Sequence, residues 1–168
     1  MIDRDRASQQ RNLGVNYKNL LYMALLSFLV MYILMYLMVN TYANVYANLN
    51  QLYMAGIMTT PMILIELILM RSMYANQRLN HIIIALCLAV FSGLCFLLRN
   101  QIAITDTEFI RAMIPHHAGA LLMCEKAQLQ DRELIELCQR IKLSQQAEIN
   151  FMQAKLTTLS ANDHRSVI

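Results

Sequence analysis

Charge is scarce in this chain. Only 15% of its 168 residues are Asp, Glu, Lys or Arg, against 57% hydrophobic, whereas a soluble domain carries about a quarter charged residues. A mean hydropathy of +0.38 says the same. The apolar excess gathers in three runs, Leu20–Val39, Leu52–Met70 and Ile82–Leu98, in which Glu66 is the lone formal charge. Each is close to the roughly 20 residues that cross a hydrocarbon core, and a water-soluble core does not account for three of them.

Other absences narrow the reading. The stretch after the first run, Asn40-Thr41-Tyr42, offers no small-x-small cleavage site, so the run is expected to be a retained span and not a signal peptide. The loop of residues 40–51 has no Lys or Arg, whereas Arg4, Arg6, Arg11 and Lys18 precede the first span and Arg71 and Arg78 lie in the second loop. The positive-inside rule then puts residues 1–19 in the cytoplasm and the C-terminal segment outside, which in a bacterial inner membrane is the periplasm. Tyr17, Tyr22, Tyr42 and Tyr46 flank the first span as interfacial anchors. From Arg99 onward eight basic residues are balanced by eight acidic ones. The soluble part therefore shows no basic face, and nucleic acid is excluded as a partner.

The expected architecture is all-α: a three-helix transmembrane domain over 20–98, a helical hairpin over 105–159 and a flexible tail over 160–168. Thr105 and Glu108 have the spacing of a capping box, opening a helix from about Thr107 to Leu129. A turn at Gln130-Asp131 leads to a second helix from Arg132 to Leu159. Helical periodicity sets Met113, His116, His117, Ala120, Met123, Cys124 and Ala127 within an arc of roughly 120°. Leu134, Cys138, Ile141, Gln145, Glu148, Met152 and Leu156 form the opposing seam. Antiparallel pairing about the turn then sets Cys124 against Cys138, His116 against Gln145, and Met113 against Glu148. Pro115, just before the two histidines, removes an amide donor and frees the carbonyl of Arg111. It reads either as a kink opening space for a ligand or as a tolerated proline.

Thioethers are soft donors that favour Cu(I) or Ag(I), and imidazole is compatible with both. A Met-plus-His face outside the cytoplasm therefore points to a soft monovalent ion, with Gln145 and Glu148 orienting the imidazoles. The alternative is that seam methionines are core and the histidines are merely hydrogen-bonded.

The same residues carry a resemblance. Asp106, Phe109, Met113-Ile114-Pro115-His116-His117, Ala120 and Met123, followed by Gln145-x-x-Glu148-Ile149-x-x-Met152, resemble the family catalogued as domain of unknown function 305. The resemblance covers about residues 105–157. It implies a ferritin-like four-helix bundle related to secreted proteins of periplasmic copper and silver binding and resistance. It also implies Met113, His116, His117 and Met123 as ligand-bearing positions, with Met152 as a further one. The membrane half looks like the helical anchor of some members.

Two features depart from that pattern. Cys124 and Cys138 stand where the family commonly has small residues. Facing each other, they could form a disulfide in an oxidising compartment, serve as thiol ligands, or simply be small residues at a close crossing. Cys87 and Cys95, inside the third span, read as packing. The second departure is size, because two helices alone bury little core. A second copy is therefore expected, giving a homodimer or higher oligomer.

Within the spans, Met54, Met58, Met62 and Met70, with Met31, Met35 and Met38, read either as a thioether track or as adaptable packing, and packing is the stronger reading. Glu66 is the intramembrane polar residue to explain, by a hydrogen bond to Thr59 or a neighbouring helix, or as part of an ion path. Pro61, beside Thr59 and Thr60, is expected to free carbonyls. The repeat Tyr42-Ala43-Asn44-Val45-Tyr46-Ala47-Asn48 suits an interface or an extension of the spans.

The leading expectation is a membrane-anchored Cu(I)- or Ag(I)-binding protein acting in metal tolerance or handling. The second is a structural or accessory subunit of a membrane complex, with no metal role. No enzyme is expected: a di-iron oxidase needs Glu-x-x-His motifs, which neither helix has, and no nucleophile–base arrangement is visible.

Overall fold

The structure is a computed structural model that describes residues 2–165, with side chains described from 16 to 161. Arg4, Arg6 and Arg11, on which the expected orientation partly rests, lie outside the described side chains. Regular structure among the described residues is entirely helical: α1 (Ile2–Leu34), α2 (Leu49–Leu69), α3 (Gln77–Arg99), α4 (Asp106–Lys126) and α5 (Arg132–Arg165). Two short 3-10 turns, Met35–Met38 and Tyr42–Asn44, lie between α1 and α2. Helix α5 runs well past Leu159, through most of the segment expected as a flexible tail. Residues 166–168 lie outside the described residues.

Asn16–Met38, Leu49–Leu69 and Gln77–Arg99 are long and apolar enough to cross a membrane. Only 6% of the apolar window is buried in the first and third, and 28% in the second. Leu25, Leu29, Ile33 and Leu86 accordingly turn outward. So much exposed apolar surface fits lipid contact and not water.

The chain divides into two compact units, both discontinuous in sequence: the residues up to Leu34 with Leu52–Ile102, and Met35–Gln51 with the residues from Ala103 onward. In the first, Leu20, Leu67 and Tyr74 form a small core with Ile63, Ile83 and Ile84 packed against it. A polar cluster closes that end. Tyr17 donates to Asn80 Oδ1 at 2.7 Å, Asn80 donates to the Tyr74 carbonyl at 2.7 Å, and Asn16 donates to the Met73 carbonyl at 2.9 Å. Gly56 allows a close approach, since a Cβ there would meet the side chain of Leu94.

Pro61 removes the amide that would bond the Ile57 carbonyl, and Thr60 Oγ1 donates to that carbonyl at 3.2 Å. Thr59 Oγ1 donates to the Ala55 carbonyl at 2.8 Å. Neither threonine is the partner of Glu66. That carboxylate accepts from the Tyr74 hydroxyl, 3.3 Å from Oε1, in the turn after α2. Burial, and after it the Glu66 charge, push the Tyr74 phenol above its ordinary value. A raised folded-state value means the contact is intact below about pH 10 and its contribution is lost as pH rises through the elevated value.

In the second unit α4 and α5 pack antiparallel, and the loop from Met35 to Gln51 lies against them. The core is Ile110, Ile114, Ala118, Leu121, Ile149, Met152 and Leu156, with Val39 and Tyr46 of the loop packed against it. The hairpin thus receives its third layer from its own chain. Gly119 admits the loop closely, since a Cβ there would lie 3.4 Å from the Met38 carbonyl oxygen.

The Tyr/Asn repeat makes this contact. Asn44 and Asn48 are buried and Tyr42 is 97% exposed. Asn44 accepts from Gln153 Nε2 at 2.9 Å and donates to Asn40 at 2.9 Å. Asn48 Oδ1 accepts from the Gln51 amide at 2.9 Å, capping α2, and its Nδ2 donates to the Tyr46 carbonyl at 3.0 Å. Nδ2 also makes a long 3.5 Å contact with the Arg111 carbonyl, the one that Pro115 leaves without its helical donor. Pro115 is itself buried inside a continuous α4. Its effect here is to offer the loop an acceptor.

The capping box is half made. Thr105 Oγ1 accepts from the Glu108 amide at 3.3 Å, while the Glu108 carboxylate instead accepts from the Leu49 amide at 2.9 Å. That places an acid at the positive N-terminal end of α2. Asn48→Ala removes a cap and leaves buried partners unmet, so it is expected to cost about 1–3 kcal/mol. The check is faster amide exchange at the start of α2 and around Arg111, with α1 and α3 unaffected.

Candidate metal centre

The buried face of α4 is set by Ile110, Ile114, Ala118 and Leu121, spaced i, i+4, i+8 and i+11. At 100° per residue its centre lies about 100° around the helix from the centre of the His–Met arc. The two arcs adjoin without overlapping, and His117, at the edge of the His–Met arc, lies nearest the buried face. One histidine therefore goes inward and the other outward.

His117 is 7% exposed. Its Nδ1 lies 2.9 Å from the Met113 carbonyl oxygen, which can only accept, so Nδ1–H is the donor. Its Nε2 lies 2.7 Å from Glu148 Oε2. Both ring nitrogens are thus engaged, and His117 orients the α4–α5 seam in this arrangement. Sequence reasoning paired Glu148 with Met113; the structure gives it to His117, one turn further along α4.

His116 is exposed, with its ring centroid 6.0 Å from that of His117. Met113 is half-buried, Met123 is 54% exposed, and Phe109 on the same side is exposed too. Met152 lies in the apolar core beside Ile110 and Ile114 and takes a packing role. Gln145 is half-buried on the facing side of α5.

Helical rise limits what this row can hold. Met113 and His116 are three residues apart, about 4.5 Å along the axis, so both can reach one ion. Met123 is seven residues beyond His116, about 10 Å away, and cannot join them from the same helix. Among the described residues no group of three or more His, Cys, Asp or Glu side chains converges, so a metal here would depend on thioether donors.

Cys124 and Cys138 are joined as a disulfide across the seam, with Cα atoms 5.3 Å apart. Cys87 and Cys95 are free thiols. The functional residues that sequence reasoning missed are those of the loop, Asn44, which bonds to Gln153 of α5, and Asn48, which contacts the Arg111 carbonyl of α4. The one signal for them was the Tyr/Asn repeat.

The family described as Domain of unknown function (DUF305) matches residues 97–166, which takes in α4 and α5 whole. Uncharacterized protein L153 of Acanthamoeba polyphaga mimivirus is 32% identical over 110 residues, covering 64% of this chain and 70% of that protein. An alignment of 110 residues is longer than the family segment, so the likeness reaches beyond the hairpin into the apolar half. No solved structure matches the chain.

Proposed function

This chain belongs to the DUF305 family, and on that premise we propose that it is a membrane-anchored protein binding soft monovalent metal, Cu(I) or Ag(I), in metal tolerance or handling. The observation that carries the reading is the pairing on α4 of exposed His116 with half-buried Met113, which packs against the core: three residues apart, one thioether and one imidazole lie close enough along the helix for a single ion. Two donors of this kind suit Cu(I) or Ag(I) before zinc or iron. His117, held by Glu148 and the Met113 carbonyl, fixes the helix that presents them.

A homodimer fits the same face. If two copies of α4 pair antiparallel about Ala118, Met123 of the second copy falls opposite Met113. Phe109 then falls opposite the second copy's Ala127, and His116 opposite its Ala120. Large side chains meet small ones, and the thioether out of reach within one helix becomes the third ligand. The product is a four-helix, ferritin-like arrangement with two equivalent sites, as two-fold symmetry requires.

The orientation proposed is N-terminus in the cytoplasm and hairpin outside, which in a bacterial inner membrane is the periplasm. Packing of the loop 35–51 on α4 and α5 supports it, since this puts the Lys/Arg-free loop on the same side as the hairpin. Exposed Leu143 and Phe151 on the outer face of α5 favour the second reading, a subunit that docks on a membrane complex.

Anaerobic titration of the full chain in detergent with Cu(I), against a competing chelator, tests the proposal. Wild type is expected to compete, His116→Ala to lose at least tenfold in affinity, and Met123→Leu to lose affinity only in the dimer. His117→Ala is expected to lower hairpin stability first. Equal weak binding by wild type and His116→Ala sinks the metal reading.

A further inference from the structure

At the closed end of the hairpin the Cys124–Cys138 disulfide opens onto a cleft of about 280 Å³, lined also by Ala127, Leu129, Ile135 and Lys142. Both cysteines are half-exposed. They face each other from α4 and α5 on backbones 5.3 Å apart. A reductant can therefore reach the sulfurs, and the thiols produced stay opposed, because the helices carrying them are packed by Ile110, Ile114, Ile149 and Met152. They lie apart from His116: Cys124 is eight residues further along α4, about 12 Å.

We propose that the reduced Cys124–Cys138 pair is a second, redox-gated site for a soft monovalent ion, held as a two-coordinate dithiolate. A dithiol reductant supplies two electrons and two protons, cleaving the S–S bond to two thiols and itself becoming a disulfide. Binding M⁺ then releases both protons and leaves Cys–S–M–S–Cys with a net charge of −1. Lys142, on the cleft wall, is placed to offset that charge. Taking about 2.3 Å for a metal–thiolate bond, the ion needs its sulfurs about 4.5 Å apart. Rotating the two side chains away from each other within the cleft provides that separation without moving the helices. A disulfide oxidant that takes two electrons from the dithiolate, and with two protons becomes a dithiol, would re-form the S–S bond and release M⁺, so the hairpin tip holds metal only under reducing conditions. Nothing in this argument depends on His116.

The test uses the full chain in detergent with Cys87→Ser and Cys95→Ser, which removes the thiols of the third span. Protein is kept oxidised or is reduced and freed of reductant anaerobically, then titrated with Ag(I) alone, and bound silver is counted beside the thiolate-to-metal absorption in the ultraviolet. The expected result is one more tightly bound Ag(I) per chain in the reduced form, with an absorption increase that the oxidised form lacks. Adding Cys124→Ser and Cys138→Ser should abolish the increment, as should alkylating the reduced thiols of an already folded chain. His116→Ala should leave it intact, which separates this site from the outer row. Equal silver counts in oxidised and reduced protein overturn the proposal, and so does an increment that survives alkylation.

Discussion

Ile114→Ala is expected to destabilise the hairpin unit by about 2–5 kcal/mol. Ile114 is fully buried and packs among residues of both long helices and the loop, so its truncation leaves a cavity at the centre of the core. Denaturant unfolding of the hairpin, followed by amide exchange along α4 and α5, measures the loss. Met123→Ala on the exposed side of the same helix is the control, expected to change stability by no more than about 0.5 kcal/mol. The contrast between the two tests which side of α4 carries the fold. If Met123→Ala costs as much as Ile114→Ala in a monomer, the assignment of faces fails.

Breaking the Cys124–Cys138 bond is the second large effect. The bridge joins residues 14 apart, and closing a loop of that size is worth about 3 kcal/mol through the entropy of the unfolded chain. Reduction alone should lower the midpoint of hairpin unfolding and leave the spans unchanged, because no cysteine of the spans is bridged. Silver added to the reduced protein should then raise the midpoint again. A ligand at a hundred times its dissociation constant returns about 2.7 kcal/mol. A reduced protein that unfolds at the same midpoint as the oxidised one would mean that the core alone sets the stability of the hairpin.

The three apolar runs were legible because run length is a direct physical requirement of the bilayer, and the helices observed differ from them mainly at the ends. The Cys124–Cys138 opposition was legible too, since a short turn fixes which residues meet near it. Farther from the turn the register and the face drifted. The His–Met arc drew attention because its residues carry chemistry. Yet Ile110, Ile114, Ala118 and Leu121 form a plainer apolar row one position around the helix, and burial follows apolar area. His117 sits where the two arcs adjoin, which is why one histidine could be read both ways. The loop was illegible for a different reason. Asn44 and Asn48 are buried through hydrogen bonds to residues far along the chain, Gln153 among them, and nothing in a polar repeat names such a partner. Reading the hairpin as a two-layer element followed from missing it.

The contact of Asn44 with Gln153 spans 109 residues of sequence, and it dictates an order of events during synthesis. The loop is translated before two of the apolar helices, so Val39, Tyr46 and the two asparagines must wait for the hairpin while those helices are inserted. The domain recognised by homology is therefore shorter than the piece that can fold. A fragment beginning at residue 97 would lack the strap that covers Ile114 and Ala118. It should expose that apolar strip and aggregate, whereas supplying residues 35–51 as a separate peptide should restore its solubility.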